Sequence, residues 1–264
     1  MWKLMKKIKL YFNSIKYLKF NQIIYFIFFK IKKKLFKIKI KFDESNFITN
    51  NTILKKTYFV KNDIRINTKK SEFTFLNQKK KINTRKDWNP SNTDKLWIYN
   101  LHYFDYILSS NFLKNKNLGL KLIEDWIDIN LFPQGNGWEP YTISLRVVNW
   151  IKFFLLLNIK PNLKIKNSLI QQSLFLDKNY EYHILANHIF ANIKSTIFFN
   201  FFFKSKNSIN KLRESFILLN KEIKIQILND GYHYEQSPYY HSLVLTDLLD
   251  IVNIKKIYGY KSTI

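Results

Sequence analysis

The sequence contains no cysteine, and this absence removes three kinds of chemistry. Disulfide bonds, thiolate metal sites and cysteine nucleophiles are excluded, whereas the redox compartment stays open. Acidic residues are scarce, with 19 Asp and Glu against 44 Lys and Arg in 264 residues, and the net charge is +25. The excess is uneven, because residues 1–100 hold 25 Lys and Arg against 6 Asp and Glu, and residues 101–264 hold 19 against 13.

Long apolar runs are also missing. The best candidate, IIYFIFF at residues 23–29, is much shorter than the roughly 18–20 residues that span a bilayer. The start of the chain lacks the long apolar core and cleavage site of a secretory signal. Residues 1–40 instead predict one or two basic amphipathic helices, which either lie on a membrane surface or dock against the rest of the fold.

Several functional signatures are absent. His183 and His188 are five residues apart and no HExxH pattern occurs, so neither a metal nor a cofactor is predicted. A GxSxG elbow is lacking, which leaves no basis for a serine triad. The positive charge fits nucleic acid, an anionic membrane or an acidic polymer, but an AT-rich genome also favours lysine. No zinc finger, aromatic RNA-binding pair or helix-turn-helix occurs, so no nucleic-acid partner is expected.

The residues that are abundant indicate a folded, mostly helical chain. Hydrophobic residues make up 46%, including 24 Phe, 16 Tyr and 6 Trp. Residues 1–95 predict a basic helical segment and a loop-rich connector, and residues 96–264 predict an all-α body with an amphipathic helix at 118–131. Two helices, 141–157 and 181–203, are apolar nearly all round, which places them inside a layered assembly of paired helices.

Polar residues within these two helices are the candidate functional groups. Arg146 lies in the first helix, and a buried guanidinium requires partners. In the second helix His188, Asn192 and Ser195 follow one face, with His183 and Asn187 as a neighbouring pair. Such a stripe either lines a cavity or satisfies polar groups of neighbouring helices.

Two further segments combine rings with polar groups. Residues 135–141, GNGWEPY, present Trp138, Glu139 and Tyr141, a combination that suits a sugar ring or an ordinary packed turn before a helix that starts at Pro140. Residues 230–243, DGYHYEQSPYYHSL, are either an aromatic loop or a set of acid/base groups.

Taken together, these segments resemble the N-terminal domain of the heparinase II/III family of polysaccharide lyases. The similarity runs through LWIYNLHYFDYI (96–107), GNGWEPYTISLRVVNW (135–150), EYHILANHIFAN (181–192) and DGYHYEQSPYYHSLVLTDLLD (230–250), and the basic start at 10–35 resembles the family's opening. The resemblance implies an incomplete α/α toroid, followed in the family by an antiparallel β-sandwich. It also implies β-elimination on a glycan that contains uronic acid.

The resemblance assigns roles to individual residues. Asn187 and His188 match the pair that binds the uronate carboxylate, where neutral donors stabilise the charge that develops when the C5 proton leaves. Tyr240, in Ser-Pro-Tyr-Tyr-His, matches the tyrosine acid/base, and the other tyrosines of that segment are expected to pack or to form the groove wall. Six further residues are expected to bind the substrate or to support the groove: Trp138, Glu139, Arg146, Asn192, Glu235 and His241.

The expected partner is an acidic polysaccharide. The family's β-sandwich would follow Ile264 and is not part of this sequence, so we expect either a truncated, inactive lyase domain or one that works with a separately encoded β-sandwich. The alternative is a non-catalytic protein that binds acidic glycans in surface polysaccharide metabolism, and a second is a membrane-surface or nucleic-acid binder that uses residues 1–95. The family resemblance favours the periplasm or cell envelope, although no cleavable signal is visible.

Overall fold

The computed structural model describes residues 20–35, 39–50, 66–67, 72–82 and 85–260, and the single positions 5, 16, 18 and 59. Nine α-helices dominate this described part: α1 (Phe20–Leu35), α2 (Lys95–Tyr103), α3 (Ser110–Lys114), α4 (Lys116–Ile129), α5 (Pro140–Leu157), α6 (Leu163–Asp177), α7 (Ala186–Phe202), α8 (Ser208–Gln226) and α9 (Pro238–Ile257). Short 3₁₀ helices cover Glu44–Asn46, Arg85–Trp88, Asp105–Leu108 and Asn136–Trp138. Among the described residues, no helix has the length and apolar character needed to cross a membrane.

Five short strands accompany the helices in the described part of the chain. They are β1 (Ile48–Thr49), β2 (Ile66–Asn67), β3 (Glu72–Phe75), β4 (Gln78–Lys81) and β5 (Phe203–Lys204). β1 pairs antiparallel with β5, with Ile48 opposite Lys204, and β2, β3 and β4 form an antiparallel sheet in that order. β3 lies in the part of the chain that was predicted to be a loop-rich connector.

The helices begin where local chemistry satisfies free backbone groups. Asp94 caps α2 by accepting a hydrogen bond from the backbone nitrogen of Leu96 at 2.7 Å, and Asn162 caps α6 through that of Ile165 at 3.0 Å. α5 and α9 instead start with Pro140 and Pro238, which need no hydrogen-bond partner and have a helical φ. These starts fix the first turns that face the cleft described below.

The core lies around α5 and α7. α7 packs against α5, α6, α8 and α9, and α5 also packs against α2 and α6. Nearly every residue of both helices is buried, which confirms the prediction that they lie inside the helical body. The second begins at Ala186 rather than at residue 181, so His183 lies in the preceding turn and does not share a helical face with Asn187.

The connector contributes to the same core. Phe73 and Phe75 of β3 contact the ring of Tyr106 at 5.0 and 6.0 Å between centroids, and Phe75 meets Trp97 at 5.2 Å. Apolar burial of this kind stabilises the contact between connector and helices. The division at residue 95 stays a prediction, and of the basic helices predicted within 1–40, α1 is described and most of the remainder lies outside the described residues.

Candidate active site

An open cleft of about 580 Å³ lies at one end of the helical body. Its walls come from α2, from the 3₁₀ helix Asp105–Leu108, from α5, α7 and α9, and from the turn before α7. Four of the predicted site residues line this cleft: Glu139, Asn187, His188 and Tyr240. The structure therefore brings together groups from segments that are up to about a hundred residues apart in the sequence.

Asn187 and His188 are in the first turn of α7. The chain enters the helix through Leu185 and Ala186, which have φ values of 69° and 51°, a conformation that costs non-glycine residues about 1–3 kcal/mol each. Asn187 Nδ2 donates a hydrogen bond to the Tyr141 hydroxyl at 3.3 Å, and the His188 ring lies 4.3 Å from the Tyr141 ring. Both side chains are half-buried, so they remain accessible from the cleft.

Glu181 stands behind His188. Its Oε1 lies 3.2 Å from His188 Nδ1, within ion-pair distance but outside the angles of a hydrogen bond. Asn192, which is fully buried, holds the glutamate: its Oδ1 accepts from the Glu181 backbone nitrogen at 2.9 Å, and its Nδ2 donates to Glu181 Oε2 at 3.3 Å and to Ser144 Oγ at 2.9 Å. Asn192 is therefore not part of the cleft lining, and it positions the Glu181 carboxylate beside His188.

Tyr240 is in the first turn of α9. It is half-buried in the cleft wall, with its ring 5.5 Å from that of Tyr239, which is 71% exposed. The Ser237–Pro238 start of the helix fixes this turn, and so the motif that identified Tyr240 also determines its position.

Three other tyrosines of the cleft lining, Tyr99, Tyr103 and Tyr141, have raised pKa values. Burial, followed by a hydrogen bond to Glu139, raises the pKa of Tyr99 above its ordinary value, and burial likewise raises the pKa of Tyr103 and Tyr141. These three phenols stay neutral near pH 7. They are suited to stacking and hydrogen bonding.

Glu139 is another residue of the cleft lining. Its Oε2 accepts a hydrogen bond from the Tyr99 hydroxyl, and its Oε1 lies 3.0 Å from Lys95 Nζ. Lys95 also lies over the Tyr99 ring, 5.0 Å from its centroid. Since both carboxylate oxygens have protein partners, Glu139 is held in one orientation at the edge of the cleft.

A buried group of charges, the Lys–Asp cluster, forms another part of the lining and consists of Lys152, Lys194, Asp247 and Asp250. Lys194 Nζ lies 2.7 Å from Asp247 and 2.5 Å from Asp250, which also pairs with Lys152. Burial, together with the charge of Lys194, lowers the pKa of Lys152 to about 8. For Lys194 the two carboxylates outweigh burial and raise the pKa. The cluster joins α5, α7 and α9 within the cleft lining.

Besides Asn192, four predicted residues are not part of the lining. Trp138 is 5% exposed, and its Nε1 donates to the Asn130 carbonyl at 2.9 Å. Arg146 is fully buried, with Nε donating to Gln172 at 2.8 Å and its guanidinium 3.8 Å from the Trp126 ring. Both therefore hold the core together rather than form the groove wall.

The other two lie in the loop before α9 or just inside that helix. The His241 ring stacks on Tyr232 at 4.6 Å, and Glu235 is exposed, with its backbone nitrogen donating to His233 Nδ1 at 3.4 Å. With Asn192, five of the residues predicted to bind substrate or support the groove thus lie outside the lining of this cleft in the described chain.

Sequence reasoning missed Glu181 and the Lys–Asp cluster. Glu181 was within a segment that carried the family resemblance, but its place before the helix start gave no periodicity signal. Lys152 and Lys194 are lysines within helices that are otherwise apolar all round, and buried lysines require partners. That signal could have suggested the cluster. Within the described part of the chain, no group of three or more His, Asp or Glu side chains could hold a metal ion.

The helical architecture of the described residues, with this cleft lined by its central helices, defines an all-α, toroid-like domain. Two solved structures of a heparinase III, one with methylated lysines, have this fold. They match over 97% of this chain with TM-scores of 0.54 and 0.55 and identities of 18% and 16%, and the chain covers 43% and 44% of theirs. The prediction of an all-α toroid-like fold is confirmed.

The chain belongs to the heparinase II/III family. The family model described as "Heparinase II/III N-terminus" matches residues 15–264. A heparin-sulfate lyase from Bacteroides stercoris is 26% identical over 133 residues, which is 48% of this chain and 20% of that protein. The match thus spans about a fifth of this relative and less than half of the solved structures, and it identifies a polysaccharide lyase-like domain.

Proposed function

We propose that this domain takes part in the β-elimination of a polysaccharide that contains uronic acid. The observation that carries the proposal is that Asn187, His188 and Tyr240 line one cleft from the first turns of two helices. The similarity to a heparin-sulfate lyase and to heparinase III structures supports the substrate class.

The proposed reaction needs three protein functions. A base removes the proton at C5 of the uronate, the C4–O4 bond breaks, a C4–C5 double bond forms, and O4 leaves with a proton. Asn187 and His188 bind the uronate carboxylate and stabilise the charge that develops on it. Tyr240 acts as the acid/base, because it lines the cleft from the first turn of α9 and matches the tyrosine of the Ser-Pro-x-Tyr-His motif.

The charges of the cleft lining explain why a substrate carboxylate would depend on hydrogen-bond donors for binding. Its lining includes five carboxylate side chains and two lysines, and both lysines are paired with aspartates. A substrate carboxylate therefore finds no free ammonium group among the lining residues of the described structure. Hydrogen bonds from Asn187 and His188, at the N-terminal end of a helix whose dipole favours anions, supply the attraction instead.

The test is the release of unsaturated uronate, measured by its ultraviolet absorbance with heparan sulfate and other uronate polymers as substrates. We expect the wild-type chain to release product and Tyr240→Phe to release at least about a hundredfold less, because general acid/base groups contribute about 10²–10⁴-fold. Retention of the glycan by the variant, measured by affinity electrophoresis, should persist.

The matched control is Tyr234→Phe, which removes an equivalent hydroxyl from an exposed tyrosine outside the cleft lining. Its activity should equal that of the wild type. Equal activity of Tyr240→Phe and wild type would reject the role of Tyr240. Glycan retention without product from any uronate polymer would instead support the alternative of a non-catalytic glycan-binding protein.

A further inference from the structure

α1 has two different apolar faces. On one face Gln22 Nε2 donates to the Ile184 carbonyl at 3.3 Å, and the Phe29 ring stacks on His183 at 4.6 Å. Tyr25 contacts Tyr182 at 5.1 Å. This face fixes the helix to the turn that precedes α7.

The other face of α1 is apolar and exposed. Five side chains at helical spacing form what we name the α1 stripe: Phe20 (75% exposed), Ile24 (48%), Ile27 (51%), Phe28 (60%) and Ile31 (48%). A contiguous patch of exposed apolar side chains often marks an interaction site, whereas single exposed apolar residues are common on any protein surface. A helix that is held on one side and apolar on the opposite side is thus available for a partner.

The charge around the stripe selects the partner. Residues 1–35 contain ten lysines and no Asp or Glu, and Lys30 Nζ lies over the Phe26 ring at 4.3 Å. A second copy of the chain would bring two such lysine-rich segments together, which is unfavourable. An anionic lipid surface complements both features, since its headgroups attract lysine and its acyl boundary accepts the apolar stripe.

We propose that α1 docks this protein on an anionic membrane surface, with the α1 stripe inserted at the headgroup boundary. The helix is hydrogen-bonded to Ile184, which also lines the cleft, so docking holds the cleft next to the membrane. The proposal is independent of the chemistry assigned to Tyr240.

Vesicle flotation of the full chain tests this proposal. The probes are vesicles of equimolar phosphatidylcholine and phosphatidylglycerol and vesicles of phosphatidylcholine alone. Wild type should float with the anionic vesicles and much less with the neutral ones, and added salt should weaken binding. The partition coefficient of the double variant Ile27→Ser/Phe28→Ser on anionic vesicles should be at least about tenfold lower, because two large apolar side chains no longer insert.

The control variant is Ile209→Ser/Ile217→Ser, which removes two side chains of α8 that are 68% and 66% exposed. It should bind vesicles like wild type, and circular dichroism should show all three proteins equally helical. The proposal is overturned if wild type does not float with anionic vesicles or if the stripe variant retains wild-type partition. Sedimentation showing a dimer that the stripe variant loses would assign the stripe to self-association and also overturn it.

Discussion

Two asparagines five positions apart on α7 have different environments and therefore different expected effects. Asn187 is half-buried and makes one hydrogen bond at 3.3 Å, whereas Asn192 is fully buried and makes three. Removing a buried amide leaves its partners unsatisfied. The first asparagine is thus accessible to a substrate, and the second maintains the carboxylate behind His188.

Replacement of each asparagine by alanine separates these tasks. Asn192→Ala should lower the free energy of unfolding by about 1–3 kcal/mol, measured by chemical denaturation. Asn187→Ala should change it by less than about 0.5 kcal/mol and should lower the rate of product release by about a hundredfold or more, as expected for an oxyanion donor. A large stability loss with Asn187→Ala, or unchanged stability with Asn192→Ala, would contradict this distinction.

The sequence located residues of the cleft lining best where a motif also determines the position, while their catalytic roles stay a prediction. Tyr240, Asn187 and His188 each lie in the first turn of a helix, so the same residues that start the helix orient the side chain. Arg146 and Trp138 were expected in or near the groove, but their direction depends on which helices surround them. No local sequence pattern indicated Glu181, because its position beside His188 depends on hydrogen bonds with Asn192, eleven positions further along the chain.

At the scale of secondary-structure elements, the Lys–Asp cluster holds three helices together. Lys152 belongs to α5, Lys194 to α7, and Asp247 and Asp250 to α9. All four side chains are at most 7% exposed. Breaking a buried ion pair leaves an uncompensated charge, which is far more costly than breaking a surface pair.

Asp250→Asn should therefore lower the free energy of unfolding by about 3–5 kcal/mol, because Lys152 loses its carboxylate partner. The matched control is Asp177→Asn, since Asp177 joins α6 to α8 through Lys211 at 2.9 Å with side chains 35% and 37% exposed. That change should cost less than about 1 kcal/mol. Equal losses in urea denaturation of the two variants would show that the cluster does not hold the helices together.

The sequence predicted the helices that form the core more reliably than their ends or contacts. Because α5 and α7 are apolar on nearly all sides, the sequence alone placed both helices inside the helical body. The start of α7 was placed five residues too early, because His183 and Asn187 fit a helical spacing that the positive φ values of Leu185 and Ala186 interrupt. Pairing of β1 with β5 joins residues about 155 positions apart, and no local pattern predicts such a pair.

At the scale of the whole molecule, positive charge and the cleft are separate features. The net charge is +25, yet the cleft lining has more carboxylates than lysines. Basic surface elsewhere is suited to attracting acidic polymers or lipid over a distance, whereas Asn187 and His188 offer hydrogen-bond donors in the cleft. The family resemblance found in the sequence led to the correct fold, which composition alone does not specify.

The most direct test of the central claim is mass spectrometry of glycan fragments released in isotopically heavy water. Elimination forms a double bond and adds no water, so each fragment with a new non-reducing end should be one water lighter than the corresponding hydrolysis product. Hydrolysis would instead place a heavy oxygen on C1 of the new reducing end. We predict such unsaturated fragments from a polymer that contains uronic acid. Saturated fragments whose new reducing ends carry more heavy oxygen than a control sugar exchanges, or no fragments from any such polymer, would contradict the assignment of this domain to β-elimination.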